Sequence, residues 1–166
     1  MNEIFKRVSI RQFEKKPVEK EKVLQVLRAA MAAPSAGNQQ PWEFIVVTNR
    51  EKIEQLSRVS PYAKPAANAP AVLVPCLRKN GAKYPSYGIV DLSIATENIL
   101  LELVSLGLGG VWLGIAPQEE RITAVDMILG IDEEEMTAFA LVAFGYPAEE
   151  KEQADRFDES RIHWIE

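Results

Sequence analysis

The sequence is poor in cysteine and histidine, with one residue of each type, Cys76 and His163. A single cysteine cannot form a disulfide within the chain, which favours a cytoplasmic location. One cysteine and one histidine also fall short of the usual ligands of a zinc site, so no metal site is predicted. His163 lies in the terminal segment RIHWIE, where a surface or packing role is favoured over pairing with a nucleophile. For an enzyme, we therefore expect an organic cofactor to carry the chemistry, and we predict no catalytic side chain.

A basic excess, long apolar runs and a leader-like N-terminus are absent as well. The formal net charge of -5 at pH 7 argues against nucleic acid as a partner. No apolar run is long enough for a membrane span, and charges interrupt the apolar residues of the first segment, MNEIFKRVSIRQF, unlike in a secretory signal. With 166 residues, of which 47% are hydrophobic and 26% charged, the chain suits one globular domain over residues 1–166.

Hydrophobic periodicity and turn residues predict a four- or five-stranded sheet with helices on its faces. Pro75 near the end of the second strand predicts that this strand lies at a sheet edge or carries a bulge. Ser60–Pro70, with its three prolines, is predicted to be a loop with at most a helical turn. Helices are predicted over PVEKEKVLQVLRAAMAA, Arg50–Val59, YGIVDLSIATENILLELVSLGLG and PQEERITAVDMILG, and strands over Trp42–Val47, Ala71–Leu77, GGVWLGI and MTAFALVAFGY.

The longest predicted helix is apolar on two sides. A helix of this kind is buried on both sides, and in so small a domain another subunit can cover one of them. One stripe consists of Leu92, Ala95, Ile99, Leu103 and Leu106, and the other of Val90, Ile94, Leu101, Val104 and Leu108.

The glycine-rich stretch LGLGGVWLG does not fit a dinucleotide-binding motif. Counted from Gly107, the third glycine of that motif would fall on Trp112, and the stretch follows a helix and opens a strand. Gly107 is instead predicted to end a helix. Gly114, at the end of a bulky apolar strand, indicates a place where a ligand or backbone approaches closely.

Two further segments carry polar groups in patterns that could bind a ligand. Arg7, Ser9 and Arg11 alternate, so in an extended segment they point the same way and could bind a phosphate or polyol, although spacing alone favours a solvated basic patch. In APSAGNQQPW, Pro34 and the small residues account for a helix end and a turn. The two glutamines beside Trp42 are less well explained by a turn, and their amides would suit the edge of a heterocycle.

Taken in order, four segments of the sequence resemble the compact branch of the FMN-dependent nitroreductase family. Each is weak alone, but their order and approximate spacing match the family through nearly the whole chain. The segments are RVSIRQF, PVEKEKVLQVLRAAMAAPSAGNQQPWEFIVV, IVDLSIATENILLELVSLGLGGVWLGI and FGYPAEEKEQADRFDESRIHW.

The resemblance implies an α+β fold with a mixed sheet flanked by helices, in an intertwined homodimer with FMN sites at the subunit interface. The second stripe of the long helix would then be dimer core. Arg7 and Ser9 match positions that bind the phosphate and ribityl groups, and Arg11 matches a basic residue at the N1–C2=O edge of the flavin. The segment that reaches FMN from the partner subunit is matched by Pro34, Ser35, Ala36, Asn38 and Gln40.

Two other regions complete the FMN site that the resemblance implies. Leu113 and Gly114 match the stretch whose backbone N–H addresses flavin N5. Arg156 matches one of two basic tail residues that bind the phosphate, but Ala154 occupies the other position. The role of the missing basic residue could pass to Lys151 or Arg161. Lys64 is a weaker match for a basic residue at the pyrimidine edge, and the loop over Arg78–Gly88 is a candidate lid.

The resemblance implies an oxidoreductase that transfers electrons from NADH or NADPH by way of FMN to a small-molecule acceptor such as a nitroaromatic or quinone, in a ping-pong cycle. A specialised reductase or dehalogenase of the same fold is the nearest alternative. From a different class, an FMN-binding storage or sensing module would hold the flavin without useful turnover. A structural dimer with a degenerate pocket is disfavoured, because both the Arg7 set and the Asn38 segment are present.

Overall fold

The computed structural model describes residues 3–166; Met1 and Asn2, with which the predicted domain begins, lie outside the described part. Within it, no helix is long and apolar enough to cross a membrane. The helices are α1 (Glu3–Lys6), α2 (Lys20–Met31), α3 (Arg50–Leu56), α4 (Gly88–Ser105) and α5 (Glu119–Leu129), and the strands are β1 (Trp42–Val47), β2 (Ala71–Arg78), β3 (Gly109–Gly114), β4 (Met136–Ala138) and β5 (Ala140–Gly145).

The five strands form one sheet in the order β1-β2-β5-β3, with β4 also paired to β2. All pairings between these strands are antiparallel. A parallel element enters through a bridge between Ser9 and Gly110, which places the N-terminal segment beside β3. The predicted fold class, a sheet flanked by helices, is therefore confirmed.

Pro75 lies within a central strand, so its predicted edge position is wrong. β2 has β1 on one side and β4 and β5 on the other. The register shifts by one residue between the pairs Leu73–Val142 and Cys76–Ala138. This bulge, the other predicted possibility, divides the single strand predicted over MTAFALVAFGY, and the Phe139 N–H donates to the Pro75 carbonyl at 2.9 Å.

The helix ends follow the predicted turn residues, with small differences in length. Gly107 (φ 71°) and Gly130 (φ 69°) adopt the left-handed conformation just after α4 and α5, as predicted for helix-ending glycines. α3 ends at Leu56, three residues before the predicted end. A short 3₁₀ helix over Lys64–Asn68 is the helical turn anticipated in the proline-rich loop.

Both faces of the sheet are buried. In β2, Val72 and Val74 contribute to the core beneath α3 and α5, whereas Ala71 and Leu73 contribute to the core beneath α2 and α4. This alternation explains why β2 is apolar at nearly every position.

The two stripes of α4 differ in environment. In the first stripe, Leu92, Ala95, Ile99 and Leu103 are fully buried. In the second stripe, Val90 and Ile94 remain 53% and 36% exposed on the single chain. The described residues therefore cover one apolar side of α4 from Leu92 to Leu103 and leave the N-terminal half of the other side open.

Candidate functional site

The N-terminal segment is held against the start of β3. The Ile10 N–H donates to the Gly110 carbonyl at 3.1 Å. A Cβ built on Gly109 would lie only 2.6 Å from Cγ1 of Ile10. The close approach of the two segments therefore requires glycine at position 109. Because Ile10 faces the core, the alternation of an extended segment directs Ser9 and Arg11 to the other side.

The three alternating polar residues have different contacts. Arg7 Nε lies 3.5 Å from Glu97 Oε1 on α4. Burial raises the pKa of Glu97, and the charge of Arg7 opposes this in part. Arg11 Nη1 donates to the Ser9 carbonyl at 3.3 Å. Within residues 3–166, the Ser9 hydroxyl makes no hydrogen bond to protein, so it remains available to a ligand.

Glu149 and Lys151, just after β5, lie against this segment. Glu149 Oε1 accepts from the Arg11 backbone N–H at 2.5 Å and from the Gln12 N–H at 3.2 Å. Lys151 Nζ lies 2.8 Å from Glu149 Oε1 and donates to the Ser9 carbonyl at 3.3 Å. The hydrogen bond from Lys151, with those from the two backbone N–H groups, lowers the pKa of Glu149. A second cation therefore stands at Ser9.

The basic tail residues named from the sequence, Arg156 and Arg161, make contacts within the tail itself. Arg156 is exposed and donates to the Ala154 carbonyl at 3.4 Å, within the tail itself. Arg161 forms an ion pair with Asp158 at 3.0 Å. Gln153 attaches the tail to the N-terminal segment, since its Nε2 donates to the Arg7 carbonyl at 3.1 Å. Of the two predicted substitutes for a basic residue at 154, the structure brings Lys151 to Ser9.

The segment Pro34–Gln40, called the arm below, has an unusual backbone. Gly37, Asn38 and Gln40 all have positive φ angles, of 55°, 54° and 48°. Asparagine and glycine tolerate this region, whereas a glutamine there needs support from its surroundings. The Gln40 N–H donates to Ser35 Oγ at 3.0 Å, and Gln40 Nε2 donates to Asn38 Oδ1 at 3.0 Å. The predicted arm residues are thus hydrogen-bonded to one another.

Asp91, in the first turn of α4, holds the arm and was missed in the sequence. It is 2% exposed, and its two oxygens accept from the Ala36 N–H at 3.0 Å and from Gln39 Nε2 at 2.7 Å. The signal that could have revealed it is a carboxylate inside the apolar run YGIVDLSIA, since a buried carboxylate needs a donor.

Gly114 ends β3 at an open surface. Leu113 beside it is 4% exposed, but a Cβ built on Gly114 would have nothing within 4 Å. Arg121 Nη1 donates to the Gly114 carbonyl at 3.0 Å, and its guanidinium lies 5.7 Å from the ring centroid of Tyr62. Within the described residues, no part of the chain fills the space that the glycine leaves, so a ligand could approach the backbone there.

Lys64 begins a 3₁₀ helix whose other end lies at the N-terminal segment. The 3₁₀ helix that begins at Lys64 ends at Asn68, whose Nδ2 lies 3.5 Å from the Arg11 carbonyl. The 3₁₀ helix thus reaches Arg11 through Asn68 and not through Lys64, and the match of Lys64 to a basic residue at the pyrimidine edge stays a prediction.

Within one chain, the Ser9 end of β3 lies far from the arm along α4. Ser9 lies at the start of β3 and Gly114 at its end, about 13 Å apart at the rise of an extended strand. The arm is held by Asp91 in the first turn of α4, whereas a Cβ on Gly110, beside Ser9, would contact Leu103 near the other end of that helix. Gly114 lies toward the arm, since its partner Ala140 packs in one cluster with Ala33. Asp91 and Leu103 are about 18 Å apart along the helix axis.

Neither a metal site nor a reactive thiol accompanies these groups in the described part of the chain. Within residues 3–166, no cluster of three or more His, Cys, Asp or Glu side chains could hold a metal ion. Burial raises the pKa of Cys76 to about 12, with smaller contributions from Asp126 and Glu43. The thiol therefore stays protonated and unreactive at neutral pH.

The sequence matches the model of the Nitroreductase family over residues 4–64 and 58–146. It is 44% identical over 164 residues to a protein of Archaeoglobus fulgidus whose name pairs NADH dehydrogenase with NAD(P)H nitroreductase, covering 96% of this chain and 94% of that one.

Solved structures show the same fold. An FMN-dependent nitroreductase from Clostridium difficile R20291 superposes with a TM-score of 0.91 at 29% identity, over 99% of this chain and 98% of that one. The NADPH:FMN oxidoreductase from Vibrio harveyi, complexed with NAD+, gives a TM-score of 0.83 at 25% identity, over 99% of this chain and 76% of that one.

Proposed function

Since this chain belongs to the nitroreductase family, we propose that it is an NAD(P)H-dependent oxidoreductase that reduces nitroaromatics, quinones or similar electron-poor acceptors in a ping-pong cycle. The chain is a flavin oxidoreductase that uses FMN and NAD(P)H, as do relatives named FMN-dependent nitroreductase, NADPH-flavin oxidoreductase and FMN reductase. We further propose that residues 1–166 form a single FMN-binding domain.

The residues along β3 fit FMN. The free Ser9 hydroxyl and two cations, Arg11 and Lys151, lie at the start of the strand, and the open backbone of Gly114 lies at its end. This arrangement of donors and open backbone along one strand is the observation that carries the proposal. It suits an elongated ligand with an anionic end and a flat, polar end.

Each group has a role in holding the cofactor. We assign Arg7, Ser9 and Lys151 to the phosphate and ribityl groups, with Arg156 as a further cation from the tail. Arg11 would stabilise negative charge at the N1–C2=O edge. The Leu113–Gly114 backbone would donate a hydrogen bond near N5. When bound at these residues, FMN would supply the hydride and electron transfer between NAD(P)H and the acceptor.

We also propose a homodimer in which the arm of one subunit serves the FMN site of the other. Within one chain, the arm and the start of β3 contact positions about 18 Å apart along α4. The exposed apolar side of α4, with Val90 and Ile94, supports a partner subunit, because an apolar face of this kind is costly in water. Pro34, Ser35, Ala36, Asn38 and Gln40 would then contact flavin from the partner.

The proposal is tested with purified protein and an acceptor panel. We expect a yellow protein, or uptake of added FMN, whose flavin absorbance bleaches with NADH or NADPH in the absence of oxygen and returns when an acceptor is added. Steady-state oxidation of NAD(P)H with each acceptor then identifies the preferred donor and acceptor class. A protein that takes up no FMN contradicts the proposal, and one that holds FMN with negligible turnover favours the storage or sensing module.

A further inference from the structure

Gln39 is an arm residue with a long polar side chain to which the FMN site gives no role. Its side chain bonds to Tyr84 and Asp91, which lie 45 and 52 residues further along the chain. Nε2 donates to Asp91 Oδ2 at 2.7 Å and to the Tyr84 carbonyl at 3.0 Å, and Oε1 accepts from the Tyr84 N–H at 2.8 Å. Tyr84 belongs to the loop Arg78–Gly88, the candidate lid, so Gln39 joins this loop to the arm.

The orientation of the Gln39 amide is set by its partners. The Asp91 carboxylate only accepts hydrogen bonds, so the NH₂ group must face it, and the amide oxygen is then directed to the Tyr84 N–H. Both amide hydrogens and the oxygen are used. Rotating the amide by half a turn would place its oxygen against the carboxylate and its NH₂ group against the Tyr84 N–H. Asp91, which is almost completely buried, therefore fixes the geometry that captures the loop.

The backbone of the arm makes room for the same loop residue. A Cβ built on Gly37 would lie 2.4 Å from Cε2 of the Tyr84 ring, so the ring occupies the space that a side chain would need. Arg78, at the other end of the loop, donates from Nη2 to the Gln40 carbonyl at 2.7 Å. The loop is thus attached to the arm by the contact of the Tyr84 ring with Gly37 and by a set of hydrogen bonds.

We propose that Gln39, oriented by Asp91, is a positioning residue that fixes the Arg78–Gly88 loop beside the flavin and thereby sets the affinity for the electron acceptor. The proposal rests on the proposed function in one respect, that the arm lies at a flavin. The attachment of the loop by Gln39 is independent of that function and can be measured without any cofactor.

Trypsin provides this measurement, because the peptide bond after Lys83 contains the Tyr84 N–H that donates to Gln39. Cleavage of a folded protein follows the population of the locally opened state. We expect Gln39→Leu to raise cleavage after Lys83 about tenfold, the effect of losing hydrogen bonds worth somewhat more than ~1 kcal/mol. Cleavage after Lys52 in α3 should be unchanged, and Gln55→Leu, on α3, should behave as wild type.

Exchanging the amide and the carboxylate between positions 39 and 91 tests whether these two side chains act as a pair. Asp91→Asn removes an acceptor and Gln39→Glu opposes two carboxylates, so each single variant should also raise cleavage after Lys83 about tenfold. In the double variant, the amide introduced at position 91 can donate to the carboxylate introduced at position 39, but the hydrogen bond to the Tyr84 carbonyl is not restored. We therefore expect partial recovery, with cleavage after Lys83 about threefold below that of either single variant. Wild-type cleavage in Gln39→Leu, an equal rise after Lys52, or additive effects in the double variant would overturn the proposal.

The consequence for the enzyme is read from kinetics of the FMN-loaded protein. Gln39→Leu should raise KM for the acceptor about fivefold with kcat and FMN retention within about twofold of wild type, because Ala36 remains bound to Asp91. An unchanged KM would overturn the link to acceptor binding. Failure of wild-type protein to bind FMN would instead contradict the proposed function, while the trypsin result would still test the loop attachment.

Discussion

Arg7 Nε lies 3.5 Å from Glu97 Oε1, so an arginine assigned to the FMN phosphate faces a carboxylate on α4. Two anions, this carboxylate and the phosphate, would compete for one guanidinium. We expect Glu97→Gln to tighten FMN binding by up to about fivefold at pH 7, since a partly exposed ion pair is worth at most about 1 kcal/mol. Fluorescence quenching on FMN binding measures the effect, and Glu102→Gln on the same helix is the control. Weaker binding in Glu97→Gln would contradict this competition.

The same substitution should change the pH dependence of stability. Burial raises the pKa of Glu97 above its ordinary value of 4.5, so the folded state favours the protonated acid. The stability that this group contributes is fully present below pH 4.5 and is lost as the pH rises through the raised pKa. Glutamine does not titrate, so Glu97→Gln should be more stable than wild type at pH 7 and equal to it near pH 4. Urea unfolding at both pH values measures the difference, and an equal difference at both would contradict the assignment.

Asn38 is better tested by glycine than by a larger side chain. Its φ of 54° is tolerated by glycine, whereas leucine there would add strain of about 1–2 kcal/mol and confuse the result. We expect Asn38→Gly to weaken FMN binding about fivefold to tenfold, the value of one hydrogen bond, with an unchanged melting temperature. Asn80→Gly, in the Arg78–Gly88 loop, is the matched control. An unchanged FMN affinity would leave Asn38 as a turn residue only.

The sequence predicts the elements well where a pattern is local. The 3.6-residue spacing of apolar residues gives α2 and α4, and glycines mark the ends of α4 and α5. The break at Phe139 is not visible, because MTAFALVAFGY is apolar on both sides of it and both faces of the sheet are buried. Pro75 was misplaced for a related reason. A residue without an N–H is tolerated in a central strand where the neighbouring strand bulges. The sequence of β2 does not show which strand lies beside it or where that strand bulges.

The candidate site likewise has features that a local pattern shows and features that depend on contacts between distant residues. Alternation, a local property, brings Arg7, Ser9 and Arg11 to one side, but spacing alone favours a solvated basic patch, and their assignment to FMN comes from the family resemblance. The contact between Gln39 and Asp91 joins residues 52 positions apart. Local patterns carry no information on such a pair, beyond the fact that a buried carboxylate must have donors somewhere. Lys151 was named only as one of two substitutes, because the path of the tail depends on where β5 ends.

A structural carboxylate outside the site should affect stability alone. Asp126, 7% exposed near the end of α5, accepts from the Thr137 hydroxyl at 2.7 Å and the Ala138 N–H at 2.9 Å, which attaches α5 to β4. Asp126→Ala leaves the buried Ala138 N–H unpaired, and we expect a loss of about 2–3 kcal/mol in unfolding free energy. Urea unfolding of Asp126→Ala measures this loss, and Thr137→Val, which leaves the backbone bond in place, should lose less. Equal losses would contradict the reasoning.

The exposed side of α4 should carry the dimer contact. Ile94 is 36% exposed in the single chain, and we expect Ile94→Lys to weaken the dimer at least about a hundredfold, because a buried unpaired charge costs several kcal/mol. Met127→Lys, at a position on α5 that is 78% exposed, is the matched control. Light scattering coupled to size exclusion gives the mass of each variant. A wild-type protein that elutes as a monomer, or an Ile94→Lys dimer as tight as wild type, would contradict the proposed interface.

Lys151 should act on the phosphate of FMN and on no other part of it. Its ammonium lies 3.3 Å from the Ser9 carbonyl and 2.8 Å from Glu149 Oε1, next to the N-terminal segment, whereas Arg161 is paired with Asp158 in the tail. We expect Lys151→Gln to weaken FMN binding about threefold to fivefold and to reduce its salt dependence, with Arg161→Gln unchanged. Riboflavin lacks the phosphate, so wild type, Lys151→Gln and Arg161→Gln should all bind riboflavin with the same affinity.

Adding a cation where the family pattern places one completes this test. In the Lys151→Gln background, Ala154→Lys would restore a pair of basic residues two apart with Arg156, and FMN affinity should recover without a change in riboflavin affinity. Equal losses of FMN and riboflavin in Lys151→Gln would mean that the lysine acts through the Ser9 backbone. In that case Lys151 would position the N-terminal segment, and the phosphate would depend on Arg7 and Ser9.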